Sequence, residues 1–252
     1  MDAGLLRRVA WVVAGGTALA ILAGSFLVLV GATRWWPGAA DCSVTAGDRT
    51  VELSTEEAED AATISARSVR LGLRPGTTSA AVAAVVDTSA EDARVVAAAL
   101  TGRAPYALSC RHGGSDDEEG DRLNRVGLTA RAVAVRRELD QAFGPQKVGG
   151  FAPGGVSTGH MSGSTHYEGR AIDLFFRPVN DRNRTKGWAV AQYVVAHAER
   201  LSVDTVIFDG RIWTHRRSAQ GWRDYSPDTS GRSARVAAVL EHRDHVHVDV
   251  AD

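Results

Sequence analysis

The chain has 252 residues, with 29 Lys and Arg against 30 Asp and Glu, a formal net charge of −1 at pH 7 and 44% hydrophobic residues. Basic residues are scattered, and no aromatic stacking platform is interleaved with them. This balance excludes nucleic acid as an expected partner.

An uncharged apolar run occupies residues 9–33, directly after Arg7 and Arg8. Its length exceeds the roughly 20 apolar residues that cross a bilayer. The positive-inside rule then keeps residues 1–8 in the cytoplasm. We expect a single-pass plasma-membrane protein with an anchor at 9–33 and an extracytoplasmic C-terminal domain. A cleaved signal peptide ending near Gly38-Ala39-Ala40 is the alternative, although signal peptides usually have apolar runs of only about 7–15 residues.

Residues 34–110 carry two helix start signals and no catalytic cluster. Ser54-Thr55-Glu56-Glu57 is a capping box that predicts a helix towards Arg70. Ser89 begins a similar signal for a helix that ends near Gly102. We predict a small helical extracytoplasmic region.

Cys42 and Cys110 are the two cysteines of the chain, and both follow the predicted anchor. In an oxidising compartment such a pair is most simply a disulfide. Neither cysteine lies near the candidate metal ligands described below, so a cysteine-zinc site is not expected.

Residues 111–124 are rich in glycine and acidic residues. This composition is typical of a solvated linker. We therefore place a boundary here, before a C-terminal domain at residues 125–252.

The C-terminal domain alternates helix and strand signals. Thr129 begins a helix that Gly144-Pro145 stops. Further strands and helices are predicted at 148–151, 170–176, 188–201, 203–207, 235–241 and in the closing histidine strand. The pattern favours an α+β fold, with helices on one side of an antiparallel sheet.

Two short motifs in this domain combine histidines with carboxylates. In Ser164-Thr165-His166 to Asp173, Gly169 permits a tight turn, so we expect a hairpin in which His166 leaves one strand and Asp173 enters the next. Near the end, His245 and His247 alternate with valines and face one surface of a strand. Two histidines and a carboxylate form the three-ligand set of a catalytic zinc.

These motifs resemble the zinc D-alanyl-D-alanine carboxypeptidases, within the peptidase group that includes lysostaphin-like endopeptidases and the hedgehog signalling domain. The shared pattern is Ser-x-His-x-x-Gly-x-Ala-x-Asp followed by Asp-x-x-His, over roughly residues 125–252. The resemblance implies zinc bound by His166, Asp173 and His247.

The same resemblance implies roles for the flanking residues. The position of Asp244 is the general base, that of His245 stabilises the tetrahedral intermediate, and that of Ser164 helps to hold substrate. Because Asp244 lies three positions before His247, it reaches the site only if the strand begins after it or is bulged there.

One segment departs from the peptidase pattern. Members usually carry Ser-Gly-Tyr-Arg upstream of the first ligand, and that arginine anchors substrate or the developing oxyanion. Here residues 149–153 are Gly-Gly-Phe-Ala-Pro. Either another residue substitutes or the usual substrate is not turned over. The chain also resembles a C-terminal domain of unassigned function in secreted actinobacterial proteins, which we take as the nearer relative. The resemblance lies in this segment, in Val206–Trp213 and in the Asp-His-Val-His motif near the C-terminus.

The remaining histidines lack recognisable metal spacing. His160 is expected to be a loop histidine, although it could line the cleft. The others are expected to be structural or exposed: His112, His197, His215 and His242.

Two functions from different classes fit these observations. The first is a membrane-anchored extracytoplasmic zinc peptidase that acts on peptidoglycan stem peptides or cross-links. The alternative is a non-catalytic cell-envelope binding or scaffold module with a structural or vestigial zinc. The missing arginine favours the module, whereas the presence of Asp244 beside three ligands favours the enzyme.

Overall fold

The computed structural model describes residues 40–252, except residues 119 and 121. The predicted anchor at 9–33 lies outside these residues. Within them, no helix combines the length and the apolar character that a bilayer span requires.

The segment after residue 40 contains a small antiparallel sheet that the sequence analysis did not predict. Its strands are β1 (Cys42–Ala46), β2 (Arg49–Leu53) and β3 (Leu108–Cys110), in the order β2-β1-β3. Cys42 lies directly opposite Cys110, and the two form a disulfide with an S–S distance of 2.06 Å. The predicted disulfide is confirmed, whereas the description of this region as purely helical was incomplete.

Three helices lie between β2 and β3, namely α1 (Thr55–Leu71), α2 (Pro75–Val82) and α3 (Ala90–Leu100). The predicted capping box is present, because Ser54 and Glu57 each accept from the other's backbone N–H. Ser89 likewise caps α3. Helix α2 was not predicted, since its eight residues carry only Pro75 as a start signal.

The second half builds a six-stranded antiparallel sheet with three more helices among the described residues. The strand order is β4-β5-β9-β6-β7-β8. Mixed α+β architecture with antiparallel sheets is confirmed. The bounds are α4 (Ala130–Phe143), β4 (Val148–Gly149), β5 (Ala171–Phe175), α5 (Asp181–Ala196), β6 (Val203–Phe208), β7 (Arg211–Thr214), β8 (Arg223–Asp224), α6 (Ala234–Leu240) and β9 (His245–Val250), with 3₁₀ turns at Thr165–Glu168 and His215–Gln220.

The two faces of the central strands β5 and β9 differ in chemistry. Because side chains alternate along a strand, Val246, Val248 and Val250 point to one side. They are almost completely buried, in the same apolar cluster as Ile172 and Leu174. The opposite face carries the polar residues of both strands, which form the candidate site.

The two predicted regions share one core rather than folding separately, since residues 40–252 form one compact unit. Helix α1 packs against α5. From α5, the buried Gln192 accepts hydrogen bonds from the backbone N–H groups of Ala107 and Leu108, at 3.0 and 2.8 Å. Its amide nitrogen donates to the carbonyls of Ala99 and Ala104 at 2.6 and 3.2 Å. One side chain thus satisfies four backbone groups across the predicted boundary.

The predicted linker is packed at its start. Gly114 donates its N–H to the Val203 carbonyl at 2.7 Å. A Cβ atom on Gly113 would lie 2.9 Å from the Trp213 side chain. Residues 115–118 are exposed, as expected for a solvated segment. The glycines at 113 and 114 therefore serve close packing and not only flexibility.

We expect Gln192→Leu to lower the free energy of unfolding by about 3 kcal/mol or more, because it leaves buried backbone donors and acceptors without partners. Urea unfolding measures this loss. Gln141→Leu, at an exposed position of α4, is the matched control. Equal small effects of both substitutions would contradict the bridging role.

Candidate metal site and cleft

Asp173 and His247 form a directly opposed pair on the neighbouring strands β5 and β9. His166 reaches the same point from the 3₁₀ turn at Thr165–Glu168. Three atoms converge there: His247 Nδ1 lies 3.0 Å from Asp173 Oδ1, His166 Nε2 lies 3.2 Å from the same oxygen, and the two nitrogens are 3.1 Å apart. All three residues are buried. The structure therefore brings the three predicted ligands together.

The predicted hairpin between His166 and Asp173 is wrong in its first half, because His166 lies in a turn and not on a strand. Ser164 begins this turn and accepts from the His166 N–H at 3.4 Å. Gly169 ends it with φ of +69°, a conformation that favours glycine. Ser164 also lines the cleft, and its predicted contact with substrate stays a prediction.

Protons alone do not satisfy the triangle of ligand atoms. If both nitrogens carry hydrogens that point at Asp173, the two nitrogens lie 3.1 Å apart with no hydrogen bond between them. If His247 Nδ1 instead accepts a hydrogen bond from His166, it has no hydrogen to donate to Asp173. The nitrogen and the carboxylate oxygen are then two acceptors in contact. A shared cation pairs with all three atoms. Ligands of tetrahedral zinc stand about 3.3 Å apart, close to the spacing here, and the donor set is one that zinc prefers.

The charges at this point favour a cation. Burial alone would raise the pKa of Asp173, but hydrogen bonds from His166 and His247 outweigh it and hold this pKa well below its usual range. Burial would lower the pKa of His247, but Asp249 and Asp173 raise it to about 10. Two carboxylates thus stabilise positive charge between them.

Asp249 orients His247, a role that sequence analysis missed. His247 Nε2 donates to Asp249 at 2.8 Å, which directs Nδ1 at Asp173. The Thr165 hydroxyl also donates to Asp249. A carboxylate behind a metal-binding histidine fixes the tautomer and the ring orientation. The alternation of His245, His247 and Asp249 on one strand face was the available signal.

Asp244 and His245 form a second pair beside the candidate ligands. Strand β9 begins at His245, so Asp244 precedes the strand and its side chain does not follow the alternation of the two strand faces. His245 Nδ1 donates to Asp244 Oδ1 at 2.7 Å, and Arg177 Nε donates to Asp244 Oδ2 at 2.6 Å. His245 Nε2 lies 3.8 Å from Asp173 Oδ1. Both oxygens of Asp244 are therefore engaged, and His245 presents its other nitrogen to the site.

His245 and the three candidate ligands line an open cleft of about 710 Å³. Helix α6 supplies one wall through Val239 and Leu240, and the loop at 159–164 supplies another, with Met161 67% exposed. His160 and His242 also line the cleft, which the sequence analysis left open for His160 and did not expect for His242. Burial, with His245 and His247 nearby, lowers the pKa of His242 to about 3. The cleft is thus richer in histidine than predicted.

Gly149 and Gly150, at the start of the segment that departs from the peptidase pattern, lie behind the candidate ligands. Gly149 pairs with Asp173 in the β4–β5 ladder. Gly150 has φ of +85°, and a Cβ atom there would lie 2.2 Å from His166 Cε1. A larger residue would displace the His166 ring.

The C-terminal half is similar to a described family. The model of the VldE C-terminal domain matches residues 124–236. This match agrees with the expected resemblance to a C-terminal domain of unassigned function. It covers less than half of the chain, includes His166 and Asp173, and ends before Asp244 and the β9 strand. Neither a curated protein nor a solved structure matches the chain.

We expect the purified chain to bind one equivalent of zinc and His247→Ala to bind none at this site, because the ion loses a ligand. Asp249→Asn should retain the zinc with affinity lowered by about 10–100-fold, the usual cost of losing the group that orients a ligand. Metal analysis and chelator competition measure both effects. Asp48→Asn, in the exposed β1–β2 turn, is the control. Stoichiometric zinc in His247→Ala would place the metal elsewhere.

Proposed function

We propose that the chain is a membrane-anchored extracytoplasmic zinc peptidase that acts on peptidoglycan stem peptides or cross-links. One observation carries the proposal. Three buried ligand atoms converge within 3.2 Å of one another, and a histidine–aspartate pair adjoins them in an open cleft. Zinc bound there would polarise the scissile carbonyl and activate water at neutral pH.

Within this proposal His245 moves the proton. Its Nε2 faces the candidate ligands, and its Nδ1–H is held by Asp244. An imidazole in this position can accept a proton at Nε2 and deliver it to a leaving amine. The sequence assigned the general base to Asp244. With both carboxylate oxygens already hydrogen-bonded, Asp244 instead acts as a positioning residue for His245.

Arg177 supplies the guanidinium that the peptidase comparison expects elsewhere. Its plane lies over the Phe175 ring, with the central carbon 4.2 Å from the ring centroid. Asp244 holds Nε, while the two terminal nitrogens make no hydrogen bond to the described residues. A guanidinium held in this way can bind a carboxylate through two parallel hydrogen bonds. A peptide carrying a carboxylate near the cleaved bond suits such a site.

The location and partners follow from the sequence. The uncharged run at 9–33 behind Arg7 and Arg8 supports an anchor with residues 1–8 cytoplasmic. The disulfide between Cys42 and Cys110 suits an oxidising compartment. Both observations support a cleft on the outer side of the membrane, where peptidoglycan lies.

Hydrolysis of defined stem peptides by the full chain tests this function. D,D-, L,D- and D-glutamyl-linked peptides are incubated with the zinc-loaded protein, and products are identified by mass spectrometry. Asp173→Asn serves as the control that lacks a ligand. Cleavage by the wild type alone supports the peptidase. Stoichiometric zinc without cleavage of any peptide would support the alternative, a non-catalytic envelope-binding module.

We expect Asp244→Asn and His245→Ala each to keep the zinc and to lower turnover by about 10²–10⁴-fold, the range for proton transfer by a positioned group. Because Asp244 acts through His245, the double variant should be no slower than the slower single variant. Turnover and zinc content are measured on all three proteins, with Asp48→Asn as the control. If the fold-loss of turnover in the double variant equals the product of the two single losses, the two residues act independently.

Arg177→Gln should lower kcat/KM by about 10–100-fold for a substrate with a free carboxylate, the value of a hydrogen bond to a charged group. Amidation of that carboxylate should remove most of the difference between variant and wild type. Steady-state kinetics with the free and the amidated substrate measure this difference in kcat/KM. An equal loss on both would mean that Arg177 acts only by holding Asp244.

A further inference from the structure

The loop at 159–163 brings His160 to the edge of the candidate metal site. The His160 ring stacks on that of His166, with centroids 4.0 Å apart and planes inclined by 27°. Candidate ligand atoms of His160, His166 and Asp173 all lie within 4.8 Å of one another. His160 is partly buried, and within the described residues neither of its ring nitrogens makes a hydrogen bond. An imidazole nitrogen without a hydrogen bond is therefore available beside His166 and Asp173.

The backbone of His160 is fastened to the turn that carries His166. The Tyr167 hydroxyl donates to the His160 carbonyl at 2.6 Å and accepts from the His160 N–H at 3.1 Å. Tyr167 follows His166 directly in the chain. The backbone of His160 is therefore tied to the turn that carries His166, while its imidazole ring is free of these two hydrogen bonds.

Two glycines, Gly159 and Gly163, lie at the ends of this loop. Gly159 and Gly163 have φ of +95° and +76°, and nothing lies within 4 Å of a Cβ atom built on either. These glycines are thus required by backbone conformation and not by packing. Because the two rings are stacked, the His160 ring has to turn as well as approach before its nitrogen can join the ligand atoms of His166 and Asp173.

We propose that His160 is a fourth protein ligand, which closes the site as three histidines and one aspartate in the resting protein. This inference rests on the metal of the proposed function. A site with four protein ligands has no open position for substrate. Substrate must therefore displace the His160 imidazole from the metal, and the cleft is self-blocked until that happens.

The ligand count is measured by X-ray absorption on the zinc-loaded full chain, which distinguishes imidazole from other ligands. We expect three imidazoles in the wild type and two in His160→Ala. His160→Ala should bind zinc at least about 10-fold more weakly in chelator competition, since a ligand contributes no less than the groups that orient it. Free imidazole, added as a probe, should bind the metal of His160→Ala more tightly than that of the wild type.

Two controls separate the inference from general damage to the loop. His112→Ala removes a histidine outside the cleft and should change none of the readouts. Tyr167→Phe keeps the ring, releases the backbone of His160, and should give an intermediate zinc affinity. If the wild type has two imidazole ligands and His160→Ala binds zinc as tightly as the wild type, His160 is not a ligand. That result would not affect the proposed zinc peptidase. A wild type without bound zinc would overturn both.

Discussion

The register between strands β5 and β9 is the constraint on which the candidate site depends. It places Asp173 opposite His247 in the interior of the six-stranded sheet. Because side chains alternate across a strand, a slip of one residue would bury the carboxylate among valines and expose the apolar face. The burial of Val246, Val248 and Val250 opposes such a slip. Core packing and site geometry are thus fixed by the same ladder of hydrogen bonds.

This arrangement concentrates charged groups on and next to two interior strands of the sheet. Asp173, Asp244 and Asp249 are each partnered by a histidine, and Asp244 also by Arg177. Isolated buried carboxylates are costly, so paired ones persist. The pairing leaves the cleft with oriented imidazoles instead of free acids. It also explains why Asp244, despite its place next to the site, has no unoccupied oxygen.

Local signals in the sequence predicted much of this structure. Capping residues fixed the starts of α1, α3 and α4, and alternation fixed β9. Pairing at a distance was harder to predict. Strands β1 and β3 are three to five residues long and separated by three helices, so no local pattern joins them.

Within the site, residues on regular elements were predictable and residues on loops were not. The alternating β9 motif and Asp173 marked the polar sheet face. His160 and His242 reach the cleft from irregular segments, the second with φ of +53°, and Arg177 follows the end of β5. No periodicity describes such positions. Helix α5 begins at Asp181, earlier than predicted, because Gly187 gave no helical signal. This glycine makes room for the Phe208 ring.

Both edges of the large sheet are short. Strands β4 and β8 have two residues each, whereas β5, β6 and β9 have five or six. Long unpaired edges act as templates for strand addition by other chains, and short ones offer few free N–H and C=O groups. The sheet is therefore poorly suited to intermolecular strand pairing. Its short edge strands therefore favour resistance to aggregation.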